Sequence, residues 1–173
     1  TTALSAFYSE KIETSNFQFR PGVRFEIFEQ ERVDRLNGST YQDKSIAVLL
    51  PGFGFTTQLF GMNLFGGVHR GFTPPSSGAL KILNFGMGEQ SSGLDLEAEK
   101  SWNKEIGLRG NLSIIDFEIA GFHIDIENLV AAGRGTAFRN LGKVNSQGVE
   151  VRTDFLLSKM SKLMPNIGIV YTL

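Results

Sequence analysis

Apolar and polar side chains alternate one by one along much of this chain. From Phe17 to Ile27, the residues Phe17, Phe19, Pro21, Val23, Phe25 and Ile27 fall on one face. Gln18, Arg20, Gly22, Arg24 and Glu26 fall on the other. Ile106, Leu108 and Leu112, with Gly110, oppose Glu105, Gly107, Arg109 and Asn111. Ala120, Phe122, Ile124 and Ile126 oppose Gly121, His123, Asp125 and Glu127. Val149, Val151, Thr153 and Phe155 oppose Glu150, Arg152 and Asp154, and Ile167, Ile169, Tyr171 and Leu173 oppose Asn166, Gly168, Val170 and Thr172. A period of two marks β-strands with unlike faces. It predicts strands at about 2–12, 17–34, 44–59, 63–73, 100–112, 115–129, 142–157 and 165–173. No stretch carries a helical apolar stripe, and parallel strands need long helical crossovers, so the strands form an antiparallel meander.

The connections alternate in length. Short ones fall near 13–16, 60–62, 113–114 and 158–164, and long ones near 35–43, 74–99 and 130–141. The middle long connection is rich in Gly, Ser and Pro, which leaves little apolar area to offset the entropy of ordering it. Short turns at one end and long loops at the other are how outer-membrane barrels are built. Ser45 to Val68 contains no charged residue and is long enough to span a bilayer as a helix. Pro51, Gly52, Gly54, Gly61, Gly66 and Gly67 break that helix, and two strands joined at Phe60-Gly61-Met62-Asn63 fit better.

Composition narrows the classes. The chain holds 17 basic and 18 acidic residues, so it has no basic excess for nucleic acid. It has no Cys and 2 His, which excludes a disulfide scaffold, a thiolate metal site and a Cys nucleophile. No HExxH pair or nucleophile elbow is present, so no catalytic residues are assigned and an enzyme is not expected. A soluble antiparallel β-sandwich alternates with the same period as a barrel. The pattern by itself leaves both open: a transmembrane barrel wall, or a soluble sandwich that binds carbohydrate or protein. Strands that alternate over nine to eleven residues match the length needed to cross a bilayer at a tilt.

Three motifs favour the barrel. Glu99 to Arg109 reads E-x-S-x-x-x-E-x-G-x-R, Phe122 to Asn128 contains F-x-x-D-x-x-N, and Asn140 to Glu150 reads N-x-G-K-x-x-x-x-G-V-E. In this order and spacing, and with "LLPGFGFTTQLFGMNLFGGVHRGFTPP" before them, they resemble the barrel of TonB-dependent outer-membrane receptors, most of all the ferric dicitrate transporter branch. The resemblance implies an all-β fold, an antiparallel transmembrane β-barrel section of about eight strands in a 22-stranded barrel. It also implies a bacterial outer-membrane location and TonB-energised uptake of a ferric chelate, ferric citrate or a siderophore. The expected partners are outer-membrane lipid, the receptor's own plug domain, the TonB complex and the ferric chelate. The chelate is cargo; no cofactor and no protein-held metal are expected. Residues 1–173 are read as part of the barrel domain, with plug and remaining strands outside the sequence. Long loops follow the second, fourth and sixth strands, which suits a section of a larger barrel better than a whole eight-stranded one.

Site residues follow from this reading. Glu105, Arg109, Glu150 and Arg152 are expected to face the lumen, and Phe122, Ile124, Ile126, Val149, Val151 and Phe155 to face lipid. Gly52 and Gly54 are expected to leave a lumen-side gap where the plug approaches. His69 and Arg70 at the outer rim, with Arg134 and Arg139 in a long loop, are the candidate contacts to an anionic chelate, because Arg grips carboxylates with two parallel bonds. The Gly-x-Gly of Pro51 to Gln58 lacks the following helix that a phosphate loop needs. Asp125, Glu127 and Asn128 lie in a strand pattern instead of a calcium loop.

Overall fold

Strands form where the alternation places them. The computed structural model describes residues 2–29, 31–34, 39–42, 45–74, 97–132, 138–140 and 142–173. In chain order the strands are β1 (Thr2–Ser9), β2 (Ile12–Glu13), β3 (Phe17–Glu29), β4 (Glu31–Asp34), β5 (Ser39–Gln42), β6 (Ile46–Leu59) and β7 (Met62–Thr73). They continue as β8 (Glu99–Leu112), β9 (Ile115–Glu127), β10 (Val130–Ala132), β11 (Phe138–Asn140), β12 (Lys143–Phe155) and β13 (Ile167–Thr172). One sheet runs β1-β3-β6-β7-β8-β9-β12-β13, every neighbour antiparallel, with β2 paired to β3. The order is that of a meander.

Two features differ from the sequence expectation. The long connection at 130–141 holds a hairpin, β10 with β11, and β4 pairs with β5 in the same way. The first strand is split into β1 and β2, which both pair with β3. Residues 75–96, the Gly- and Ser-rich connection, lie outside the described residues.

Tight turns close the other end. Phe60 (φ 51°) and Gly61 (φ 78°) join β6 to β7 across the Leu59–Met62 pair. Positive φ at both central residues is the two-residue hairpin turn whose twist matches the strands. Ser113 (φ 58°) and Ile114 join β8 to β9. A short 3-10 turn, Leu157–Lys159, precedes β13, and Ser158 donates to Asn166 Oδ1 from its backbone N (3.1 Å) and its hydroxyl (2.8 Å).

The sheet has one layer, and this removes the sandwich reading. Among the described residues only Val48, Ala98 and Ala120 are buried hydrophobics. The accessible surface is 12258 Å², against about 8,400 Å² for a compact globule of this mass. A sandwich buries the inner faces of two sheets against each other. Here large apolar side chains stand open instead: Leu4, Phe25, Leu49, Phe53, Ile106 and Val149 are all exposed.

Candidate functional site

Residues directly opposite each other in an antiparallel pair project to the same face. The register therefore sorts the sheet into two surfaces, row by row. On the first face one row runs Arg20, Gly54, Gly67, Glu105, Phe122, Gly148. The next row toward the tight turns runs Gln18, Thr56, Phe65, Gly107, Ala120, Glu150. The one after runs Gln58, Asn63, Arg109, Glu118, Arg152. This face is polar and of mixed sign.

Side chains on it interlock. The Arg109 guanidinium lies 5.3 Å over the Phe65 ring and 4.0 Å from Glu118 Oε2. Arg152 Nε donates to Asp154 Oδ2 at 2.9 Å, and Arg24 Nε lies 3.1 Å from Glu26. Asn111 donates to Asp116. Arg109–Glu118 and Asn111–Asp116 join β8 to β9, whereas Arg152–Asp154 and Arg24–Glu26 each lie within one strand; at these exposures each pair is worth little by itself. Between the rows lies a recess of about 390 Å³ where Gly54 faces Gly67. Arg20, Phe65, Glu105 and Arg109 wall it.

The second face is apolar toward the tight turns. Its rows include Leu64, Leu108, Ile119, Val151 and, one row up, Gly66, Ile106, Gly121, Val149. Toward the long connections it changes sharply. The next rows are Val68, Lys104, His123, Gln147, then Arg70, Trp102, Asp125, Asn145. Lys104 Nζ donates to Asp125 Oδ2 (2.9 Å), Asn145 Nδ2 donates to Asp125 Oδ1 (2.8 Å), and His123 Nε2 lies 3.0 Å from Asp125 Oδ1.

The family profile of the "TonB dependent receptor-like, beta-barrel" matches residues 1–172. The chain belongs to that family. Its barrels sit in the bacterial outer membrane, and so does this section. The siderophore receptor PirA of Pseudomonas aeruginosa is 18% identical and superposes with a TM-score of 0.69 over 99% of this chain and 31% of that one. The ferric citrate transporter FecA is 20% identical, with a TM-score of 0.69 over 98% of this chain and 26% of that one. The copper transporter OprC is 13% identical, with a TM-score of 0.67 over 88% and 26%. The chain thus spans between a quarter and a third of these barrel proteins, and the likeness is one of fold.

Within this TonB-receptor barrel the expected site residues separate. Gly52, Gly54, Glu105, Arg109, Glu150 and Arg152 share the first face, while Val149, Val151 and Phe155 lie on the second. Phe122, Ile124 and Ile126 do not join Val149. Phe122 pairs with Glu105, so these three stand on the charged face. The cause is a phase slip in β9: Ile115, Phe117 and Ile119 are odd, Phe122, Ile124 and Ile126 even. His69 and Arg70 also part. His69 sits on the first face opposite Gly52, and Arg70 on the second, 5.6 Å from the Trp102 ring centroid. At Gly52 a Cβ would lie 2.9 Å from His69 Cβ, so the neighbour that comes close there is β7 of this chain. Gly54 remains open, with nothing nearer than 3.6 Å. Arg134 lies outside the described residues, and the Arg139 side chain likewise. The alternation of Ile115 to Ile119 was the signal for Glu118, which the sequence reading passed over. Among the described residues no group of three or more His, Cys, Asp or Glu is placed to hold a metal ion.

Proposed function

We propose that this chain is a section of the barrel wall of a TonB-dependent receptor that carries a ferric chelate across the outer membrane, with its charged first face toward the lumen and its apolar second face toward lipid. The observation that carries it is the pairing of family membership with a one-layer, two-faced sheet. On β3 the second face is apolar from Phe17 to Ile27. That run is about 33 Å along the strand, or about 25 Å tall at a tilt near 40°, the height of a barrel's apolar band. The sheet is open, since β1 and β13 do not pair among the described residues. A larger barrel supplies their neighbours, and a plug domain occupies the lumen and relays TonB. The open Gly54–Gly67 recess suits close approach of plug backbone.

PirA is named as a siderophore receptor and FecA as a ferric citrate transporter, and the three motifs resemble the ferric dicitrate branch. Citrate is a polyanion, which Arg20 and Arg109 on the lumen face suit. OprC is named for copper, so the shared fold does not by itself set the metal. The role is transport without chemical turnover. The test is uptake of radiolabelled iron by cells that depend on the receptor carrying this section. Ferric citrate and siderophore complexes are supplied with TonB intact or deleted. TonB-dependent accumulation of a ferric chelate is expected; TonB-independent leakage, or uptake of copper alone, contradicts it.

A further inference from the structure

In the main sheet the first face carries four arginines, and their partners divide them. Arg24 Nε lies 3.1 Å from Glu26, and Arg152 Nε donates to Asp154 Oδ2 at 2.9 Å. Arg20 makes no ion pair among the described residues. Arg109 reaches Glu118 Oε2 only at 4.0 Å, and its guanidinium rests 5.3 Å over the Phe65 ring. The two arginines without a close carboxylate are the two that wall the recess of about 390 Å³.

That recess lies inside the sheet. It spans β3, β6, β7 and β8, each of which has a neighbour on both sides, and no residue of β1 or β13 lines it. Its floor is backbone, because Gly54 pairs with Gly67 and a Cβ at Gly54 would meet nothing nearer than 3.6 Å. Arg20 shares a row with Glu105, four residues or about 13 Å along β8 from Arg109. Arg109 pairs with Asn63, next to Met62 where the β6–β7 turn closes, so the recess reaches down toward the tight turns. Its wall carries Arg20 and Arg109 against Glu105, an excess of one cation. Arg70, expected to meet the chelate at the rim, stands on the other face.

We propose that this recess is a transit site for a carboxylate-bearing ferric chelate, which Arg20 and Arg109 grip over the bare Gly54–Gly67 floor once the plug has moved off the wall. The inference rests on the reading of the first face as the lumen wall of a chelate receptor. A guanidinium binds a carboxylate through two parallel bonds. Arg20 has no such partner to give up, and Glu118 is too far from Arg109 to hold it by a hydrogen bond. Glu105 limits the excess to one charge, so the hold is weak enough for onward release, as a conduction path requires. The volume is that of a small-molecule site.

The test uses cells that carry the full-length receptor. Binding of radiolabelled ferric citrate is read on ice, and TonB-dependent uptake at saturating ferric citrate. R20Q and R109Q are each expected to leave binding on ice unchanged and to slow uptake about fivefold, the worth of one exposed charge pair. R109K keeps the charge without the fork and is expected to fall between. R24Q, whose arginine already holds Glu26, is expected to transport normally. A photo-crosslinking residue in place of Thr56, which lines the recess, is expected to capture labelled citrate only with TonB present. Normal uptake by both R20Q and R109Q, or no capture at position 56, overturns the proposal. So does TonB-independent leakage in these variants, since the arginines then hold the plug and not the cargo. Wild-type uptake of siderophores without carboxylates, and not of citrate, removes the transit site and leaves the receptor reading standing. If no ferric chelate is taken up with TonB, that reading itself has failed.

Discussion

Gly107 is the tightest test of the single residue. A Cβ there would meet Phe65 Cζ at 2.5 Å and the Ile119 backbone oxygen at 2.8 Å. The ring can move; the neighbouring strand cannot without breaking register. Gly107→Ala is therefore expected to cost about 1–3 kcal/mol, the usual range for overpacking. Gly121→Ala, with nothing inside 4.0 Å, is expected to stay within about 0.5 kcal/mol. The temperature at which the folded receptor loses its fast-migrating band on a gel checks both. Equal shifts would contradict the close approach of β7 and β9 over β8. At Phe60 the turn needs positive φ from a residue with a Cβ, and the ring is 91% exposed. Phe60→Asn supplies the residue that such turns favour before Gly. It is expected to raise stability by about 0.5–1 kcal/mol, measured by urea unfolding from lipid vesicles.

At the scale of the element, β9 shows what could and could not be read from the sequence. Its period of two is plain, and so are its length and its neighbours. The facing of its upper half is not, because alternation says which residues share a face and not which medium that face meets. Ile115, Phe117 and Ile119 share the second face; after Ala120 and Gly121 the apolar residues move to the first. The physical reason is that polarity along a barrel strand is set by depth. On the proposed reading the second face meets hydrocarbon within the apolar band; beyond it, Lys104, His123 and Asp125 share that face while Ile124 and Ile126 lie on the first. His69 and Arg70 were separated by the same rule, since adjacent residues in a strand point oppositely. This predicts an asymmetry. Ile119→Lys places a charge in the lipid-facing band and is expected to cost about 2–4 kcal/mol. Ile124→Lys should cost clearly less by the same urea unfolding. The reverse order would contradict the phase assignment in β9.

For the whole molecule, the barrel class was legible because strand length, loop alternation and three spaced motifs agreed. The hairpin of β10 and β11 was not, since three-residue strands carry too short a pattern to stand out from a loop. The open edges set a further expectation. In hydrocarbon each unpaired backbone group costs several kcal/mol, so residues 1–173 expressed alone are expected to aggregate in detergent refolding. A compact, heat-modifiable monomer of this chain would mean that β1 and β13 close on each other.

The central claim, one wall with water on one side and lipid on the other, is tested most directly by spin labels on adjacent residues. This section has no cysteine, so single cysteines are placed at Leu108, Arg109, Val151 and Arg152 of the full-length receptor, with any cysteine elsewhere in it replaced by serine, and labelled in lipid vesicles. Relaxation by oxygen reports lipid, and relaxation by a water-soluble nickel chelate reports water. The account predicts that 108 and 151 respond to oxygen and 109 and 152 to nickel. Nickel access at all four positions, or the opposite alternation, would contradict it.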